Sequence, residues 1–419
     1  MATTHPTTTT NAAAPAARSR LNRRDFMRLT GGLAAGFAAG AALTSLTTRA
    51  HAQDAAQRPA RRPGKRDNEL NILCWEGYNT EDVLGPFRKT LPGVKVKAES
   101  GTDDPSMINK LRAGETRLWD LINVNQCWAR GEMLPENLIV PLNRPRFEPY
   151  MEKMMKWFYN SKDGITPFAL SPDGRDIIGL VQRFGPNTFV VNTKKISRAT
   201  AEDQGLPMFL DPKLKNRYGV LAYDNWNVIH LCITAGFDPF RPHTPDEIER
   251  FGKTARQIFA NTKIISGDLI QLNQALVNGD IDCYFGGGTY TVSTARHEGF
   301  SEIRGISPLR GPMHGKGATQ WFELTSLVNN PDLSPRASDF LEFVQRPEIC
   351  KAVAFAEGTY NPVSQMSQPE VFAKFSKQDL DALQWETLEE DMNRSVDYQI
   401  IPENDLLTTI YNEAKRTRA

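Results

Sequence analysis

Four places in the chain carry side chains suited to holding a small molecule. In residues 70–78, LNILCWEGY, Trp75 and Tyr78 stand three apart directly after the apolar Leu70, Ile72 and Leu73. Asn125 comes just before Gln126, Cys127 and Trp128 at the end of a second apolar run, and Asp224 follows the run around Val220 and Leu221. Trp321 and Glu323 lie two apart in residues 315–328, GKGATQWFELTSLV. Indole and phenol rings offer an apolar face with a polar tip, and carboxylates offer charge and hydrogen-bond acceptors, so such a set can hold a ligand without reacting with it. Each residue also has a plainer use: large aromatics are mostly core residues, and Asp224 or Asn225 can cap the helix expected after it.

The elements that must position these groups follow from periodicity. Residues 70–74 read as a first strand, Asn79-Thr80-Glu81-Asp82 as the cap and acidic first turn of a helix to about Thr90, and residues 94–98 as a second strand. A helix over 105–113 and a buried strand over 119–124 continue the alternation, which predicts a mostly parallel sheet with helices on its faces. In such an open α/β sheet, ligands meet the loops at the carboxyl ends of the strands, where Trp75 and Asn125 stand. Residues 177–192, IIGLVQRFGPNTFVVN, read as two strands joined by an irregular bridge at 182–187, the expected first crossing between two lobes. The second lobe opens with a turn and strand over 211–222. Thr244 with Pro245, Asp246 and Glu247 predicts a capped helix, and a further helix spans 267–277. A short strand over 281–285 runs into Gly286, Gly287 and Gly288. These glycines lack both the dinucleotide spacing and the Walker lysine, so close backbone approach competes with phosphate binding as their use. Residues 315–328 read as the return crossing, with helices over 334–344 and 347–355 after it. From Pro369 to the end the pattern is helical and amphipathic.

The first 52 residues read as delivery apparatus. A Thr, Ala and Pro-rich start leads to LNRRDFMRL with Arg23 and Arg24 adjacent, an apolar run over 29–46, and the small-residue site Ala50-His51-Ala52. These are the parts of a secretory signal of the twin-arginine type, cleaved near Ala52. Its removal takes six arginines and one aspartate from totals of 50 Lys plus Arg and 49 Asp plus Glu, leaving a body of formal net charge −4. A mildly acidic chain with scattered charges lacks the concentrated basic face of a nucleic-acid binder and leaves cationic ligands open. Residues 53–68 read as a flexible leader. Cys74, Cys127, Cys232, Cys283 and Cys350 form no C-x-x-C pair and mostly sit among apolar neighbours, which predicts small buried hydrophobes in place of a zinc or redox site. His230, His243, His297 and His314 make no metal pattern, and no G-x-S-x-G elbow or cofactor fingerprint occurs. The expectation is therefore a chain that is not an enzyme and has no cofactor or metal.

The order of the CWEGY turn, the Asp120-Leu121 strand, RFGPNTFVVN, DPKLKNRYGVL, NGDIDCYFGG, QWFELTSLV and GTYNPV resembles a family 1 extracellular solute-binding protein of an ABC importer. The resemblance runs from about Leu70 to the carboxyl terminus and is closest to the spermidine/putrescine-binding branch. It implies an α/β, two-lobe periplasmic-binding-protein clamshell of type II, with a ligand cleft at the hinge that closes on its ligand. Lobe 1 would be residues 69–182 and 317–361, and lobe 2 residues 183–316 and 362–419. It implies a periplasmic monomer that presents a polyamine or related amine to permease subunits. Carried over by residue, Trp75, Tyr78 and Trp321 would box the methylene chain, Asp224 and Glu323 would meet the ammonium ends, and Asn125 would be a polar contact, with Asn227, Phe285 and Tyr360 beside them. The chain departs from the branch where Asn227 replaces a second carboxylate, where Phe285 precedes Gly286 in place of a tryptophan, and where Glu323 replaces an aspartate. Fewer anions and more room point also to a monoamine or an amino-acid-like zwitterion, with Arg183 or Asn187 facing a carboxylate.

Overall fold

Apolar residues at 70, 72 and 73 form strand β1 (Glu69–Cys74), and helix α1 (Glu81–Thr90) carries the chain to β2 (Lys95–Ser100). The computed structural model describes residues 66–101, 103–355 and 358–417, so the export signal and most of the leader read from the sequence lie outside the described residues. Helix α1 turns Val83, Leu84 and Phe87 inward and places Glu81 and Asp82 in its first turn and Arg88 and Lys89 in its last, which suits the helix dipole. Helix α2 (Asp104–Arg112) leads to β3 (Leu121–Asn125), and short β4 (Ile139–Val140), β5 (Tyr159–Asn160) and β6 (Gly164–Ile165) precede the long β7 (Leu180–Asn192). Then come β8 (Tyr218–Leu221), α3 (Asp224–Thr234), α4 (Pro245–Asn261), β9 (Ile264–Ser266), β10 (Cys283–Gly288), α5 (Thr289–His297) and β11 (Ile303–Ile306). The long β12 (Ala318–Val328), β13 (Ser395–Asp397) and the closing helix α6 (Asn404–Arg416) complete the elements used below.

One mixed sheet runs in the order β2-β1-β3-β12-β7-β10-β8-β9, with β4 and β13 added to β12 and β11 to β7. At one end β2, β1 and β3 are parallel. At the other end β10, β8 and β9 are parallel. Two long strands, β7 and β12, run antiparallel to each other between these ends. Two parallel halves joined by two crossing strands is the arrangement that allows a cleft over the crossing.

The crossing differs from the sequence expectation. Residues 180–192 are one continuous strand with every residue buried, not two strands around a bridge. The irregularity is a bulge: Phe184 pairs with Phe322 and Val181 with Leu324, so Gln182 and Arg183 together face Glu323. A bulge re-aims a side chain without ending the ladder, and here it sets Arg183 beside Glu323. Along β12 the period of two sends Phe322 into a ring cluster with Phe158 at 5.2 Å and Phe168 at 6.2 Å, leaving Trp321 and Glu323 on the opposite face.

Other local expectations meet their tertiary setting. Thr244 caps α4 in a full capping box with Glu247. Asp224 does not cap α3: Tyr223 holds that position, and the Asp224 carboxylate turns to other partners. All five cysteines are buried free thiols. The carboxyl-terminal stretch is not helical throughout, since Ser395–Asp397 adds a parallel strand to the edge of β12 at Ala318–Gln320. Of the glycines of β10, Gly286 and Gly287 take φ of +84° and +85°, which glycine adopts without strain, and Gly288 serves backbone approach. A Cβ on Gly288 would stand 2.3 Å from the Pro186 carbonyl oxygen on β7, and none of the three lines the cavity described next.

Candidate ligand cavity

A cavity of about 600 Å³ opens over the crossing strands, a size that encloses a small organic molecule. Its floor is a row across the sheet. Asn125 on β3 stands opposite Glu323 on β12, and Glu323 faces Arg183 across the bulge. Trp321 lies on the same face and meets Tyr290 edge-on at 5.7 Å. The walls come from the ends of β1 and β8 and from α2, α3 and α6, through Trp75, Glu76, Asp104, Tyr223, Asp224, Trp226 and Thr408. Tyr398, beyond β13, packs against Trp226 with ring centroids 4.5 Å apart and closes one side.

Two of the carboxylates hold cations of the protein's own. Glu323 and Arg183 form a buried fork: Arg183 Nη2 donates to Glu323 Oε1 at 2.7 Å, and Arg183 Nε donates to Oε2 at 2.9 Å. The Tyr78 hydroxyl donates to Glu323 Oε2 at 2.6 Å, and the Arg183 guanidinium lies 4.8 Å from the Tyr78 ring. Burial pushes the Glu323 carboxyl upward against the opposing pull of Arg183 and Tyr78. Burial disfavours the Arg183 charge, but Glu323, with Tyr78 and Glu76 beside it, more than offsets that and keeps the guanidinium protonated. Asp224, half-buried at the start of α3, accepts from the Tyr411 hydroxyl at 2.7 Å and from Lys415 Nζ at 3.0 Å, both on α6.

The opposite corner is different. Asp104, 4 % exposed, accepts from Trp75 Nε1 at 3.0 Å, from the Asn125 backbone N–H at 3.1 Å and from Asn125 Nδ2 at 2.8 Å. No ion pair reaches it among the described residues. Burial pushes its carboxyl up to about 6, and the hydrogen bonds from Asn125 and Trp75 hold back only part of that rise. Glu76 adjoins Trp75 on the same wall and makes no side-chain hydrogen bond or ion pair among the described residues. Asp103, also on the wall, caps α2 by accepting from the Ser106 backbone N–H.

Of the residues named from the sequence, the structure brings Trp75, Asn125, Asp224, Trp321, Glu323 and Arg183 to one cavity. The remaining five lie elsewhere. Tyr78 sits behind Glu323 as its buried hydrogen-bond donor. Asn227 is fully buried and donates to the Leu221 carbonyl at 2.6 Å. Phe285 packs edge-on against Phe209 in the core at 5.3 Å, Tyr360 stacks on Phe355 at 4.3 Å, and Asn187 is buried within β7. Asp104 and Glu76 were not singled out from the sequence. The signal for Asp104 is Asp103-Asp104-Pro105 opening a helix just after a strand end, and that for Glu76 is its place inside the CWEGY turn.

The sequence profile of the bacterial extracellular solute-binding protein family matches residues 83–379. No curated protein matches the chain. Among solved structures, the fold is similar to that of the TpPotD lipoprotein of Treponema pallidum, at 14 % identity and a TM-score of 0.60 over 83 % of this chain and 99 % of that one. The spermidine/putrescine substrate-binding protein PotD of Streptococcus pneumoniae aligns at 16 % identity and 0.57, over 84 % of this chain and all of that one. MotA of A. tumefaciens in complex with glucopine aligns at 11 % and 0.52, over 84 % and 98 %. The architecture they share is the two-lobe α/β clamshell of periplasmic binding proteins.

Proposed function

The chain belongs to the family of bacterial extracellular solute-binding proteins, and from that premise we propose that it is the periplasmic binding component of an ABC importer, capturing a small cationic amine between its lobes. One observation carries the amine. Glu76, Asp103, Asp104, Asp224 and Glu323 face the cavity against a single lining guanidinium, Arg183, and among the described residues six aromatic rings line the same space. An ammonium is stabilised over an aromatic face by about 0.5 to 2 kcal/mol, and one that leaves water needs an anionic partner. Trp75, Asn125, Asp104, Trp226 and Trp321 are the proposed contacts. The name of the Streptococcus pneumoniae neighbour, with spermidine and putrescine in it, supports the reading. Export by the twin-arginine route, cleavage near Ala52, delivery to a permease and lobe borders within β7 and just before β12 are part of the same proposal. The Arg183 guanidinium favours a second reading, an amino-acid-like zwitterion whose carboxylate it would meet.

Calorimetric titration of residues 53–419 with putrescine, spermidine, monoamines and γ-aminobutyrate separates the two. Saturable binding of amines without a carboxylate supports the first reading. Binding of γ-aminobutyrate with every simple amine silent selects the second.

A further inference from the structure

The cavity's carboxylates divide into two kinds, and the division bears on how many charges its ligand carries. Glu323 is neutralised by Arg183, with side chains 5 % and 2 % exposed. Asp224 is neutralised by Lys415, whose Nζ lies 3.0 Å and 3.3 Å from the two carboxylate oxygens and 5.6 Å from the Tyr411 ring centroid. A carboxylate beside an aromatic face is the setting a ligand ammonium would seek, and here a lysine of the closing helix already fills it. Asp104 and Glu76 make no ion pair among the described residues, although Arg183 donates to the Glu76 backbone carbonyl at 2.8 Å and feels its carboxylate, and Trp75 joins them: its indole N–H donates to Asp104, and Glu76 is its neighbour in sequence.

Building on the amine reading above, we infer that the cavity takes one ammonium, at the Asp104 and Glu76 corner, and that Lys415 is the specificity residue that excludes a second. The ligand is then a monocationic amine whose uncharged body lies along Trp321, Tyr290 and Trp226. A second ammonium reaching towards Glu323 meets the Arg183 guanidinium, which is 2 % exposed and fixed in its fork with Glu323. One reaching towards Asp224 competes with Lys415, which α6 tethers at high effective concentration. Lys415 is the part that can yield, because its side chain is 30 % exposed and can swing into solvent. The protein's own lysine thus stands where the far end of a diamine would sit.

The test uses the mature chain and two ligands of equal length, putrescine and n-pentylamine, which differ by an ammonium in place of a methyl group. Titration of the wild type should show pentylamine binding at least about tenfold tighter than putrescine, as expected when one charge lacks a partner. Lys415→Met should narrow that ratio about tenfold by freeing Asp224, and adding Asp224→Asn to it should abolish the gain. Putrescine binding tighter than pentylamine to the wild type, or an unmoved ratio in Lys415→Met, overturns the inference while leaving the amine reading intact. Failure of both ligands and of every other amine to bind sinks the amine reading and this inference with it. Thermal unfolding of each variant guards against loss of fold.

Discussion

Asp104 shows how a single buried carboxyl ties ligand affinity to pH. Its ordinary value is 3.8 and burial raises it to about 6 in the folded protein. The folded state therefore binds this proton more tightly than the unfolded chain does. Its contribution to stability is fully present below about pH 4 and is lost as pH rises through 6, leaving a penalty of about 3 kcal/mol at pH 7. A ligand ammonium beside the ionised carboxylate offsets that penalty, so amine affinity should fall up to about tenfold per unit as pH drops below 6. The profile should be flat in Asp104→Asn, and titrations between pH 4.5 and 8 decide it. Glu323 behaves otherwise. Because Arg183 already holds it, Glu323→Gln leaves a buried guanidinium without its counter-charge, and a loss of about 3 to 5 kcal/mol in urea unfolding is expected. Unchanged stability with abolished binding would make Glu323 a direct ligand contact instead.

The joins between elements set the shape of the cavity. The ladder between β10 and β7 shifts register between Phe285 and Gly288, and Gly288 has φ of −172°, an extended geometry open to any residue. Its restriction is spatial. In Gly288→Ala the new methyl meets the Pro186 carbonyl oxygen and must push β10 away from β7, with an expected loss of about 1 to 3 kcal/mol in denaturant unfolding. Wild-type stability in that variant would mean the two strands part freely there. The capping box of α4 is a milder case. Glu247 N–H donates to Thr244 Oγ1 at 3.3 Å and the Thr244 N–H to Glu247 Oε2 at 2.9 Å. Thr244→Ala should lose about 1 kcal/mol with amine affinity unchanged.

For the molecule as a whole, β7 and β12 couple the two halves of the sheet, so a ligand touching Asp104 from one half and Trp226 from the other favours the closed arrangement. Saturating amine should therefore reduce the radius of gyration in solution scattering and alter tryptophan fluorescence through Trp75, Trp226 and Trp321. At a hundred times Kd it should add about 2.7 kcal/mol to stability. A scattering curve unmoved by a ligand that raises the melting temperature would argue for a rigid cleft. Among the described residues no helix is long and apolar enough to cross a membrane.

What the sequence determined by itself was local. Alternation within five or six residues marked β1 and β2, a buried apolar run marked β3, Thr244 followed by Pro245 and Glu247 marked the start of α4, and apolar neighbours marked the cysteines as core. The positions of Trp75, Asn125 and Asp224 near strand ends, and of Trp321 and Glu323 on a crossing strand, were legible for the same reason, since propensity and periodicity depend on near neighbours. Partners were not legible. Arg183 is 140 residues from Glu323, and Lys415 is 191 from Asp224. Neither pairing leaves a local pattern, because it depends on which strands and helices become adjacent. The same holds for β13, three residues that become a strand only beside β12, and for the bulge that turns Arg183 towards Glu323. Asp104 reads locally as a good first-turn residue of a helix. Only the tertiary structure removes it from water, surrounds it with Trp75 and Asn125, and leaves its charge without a counter-charge.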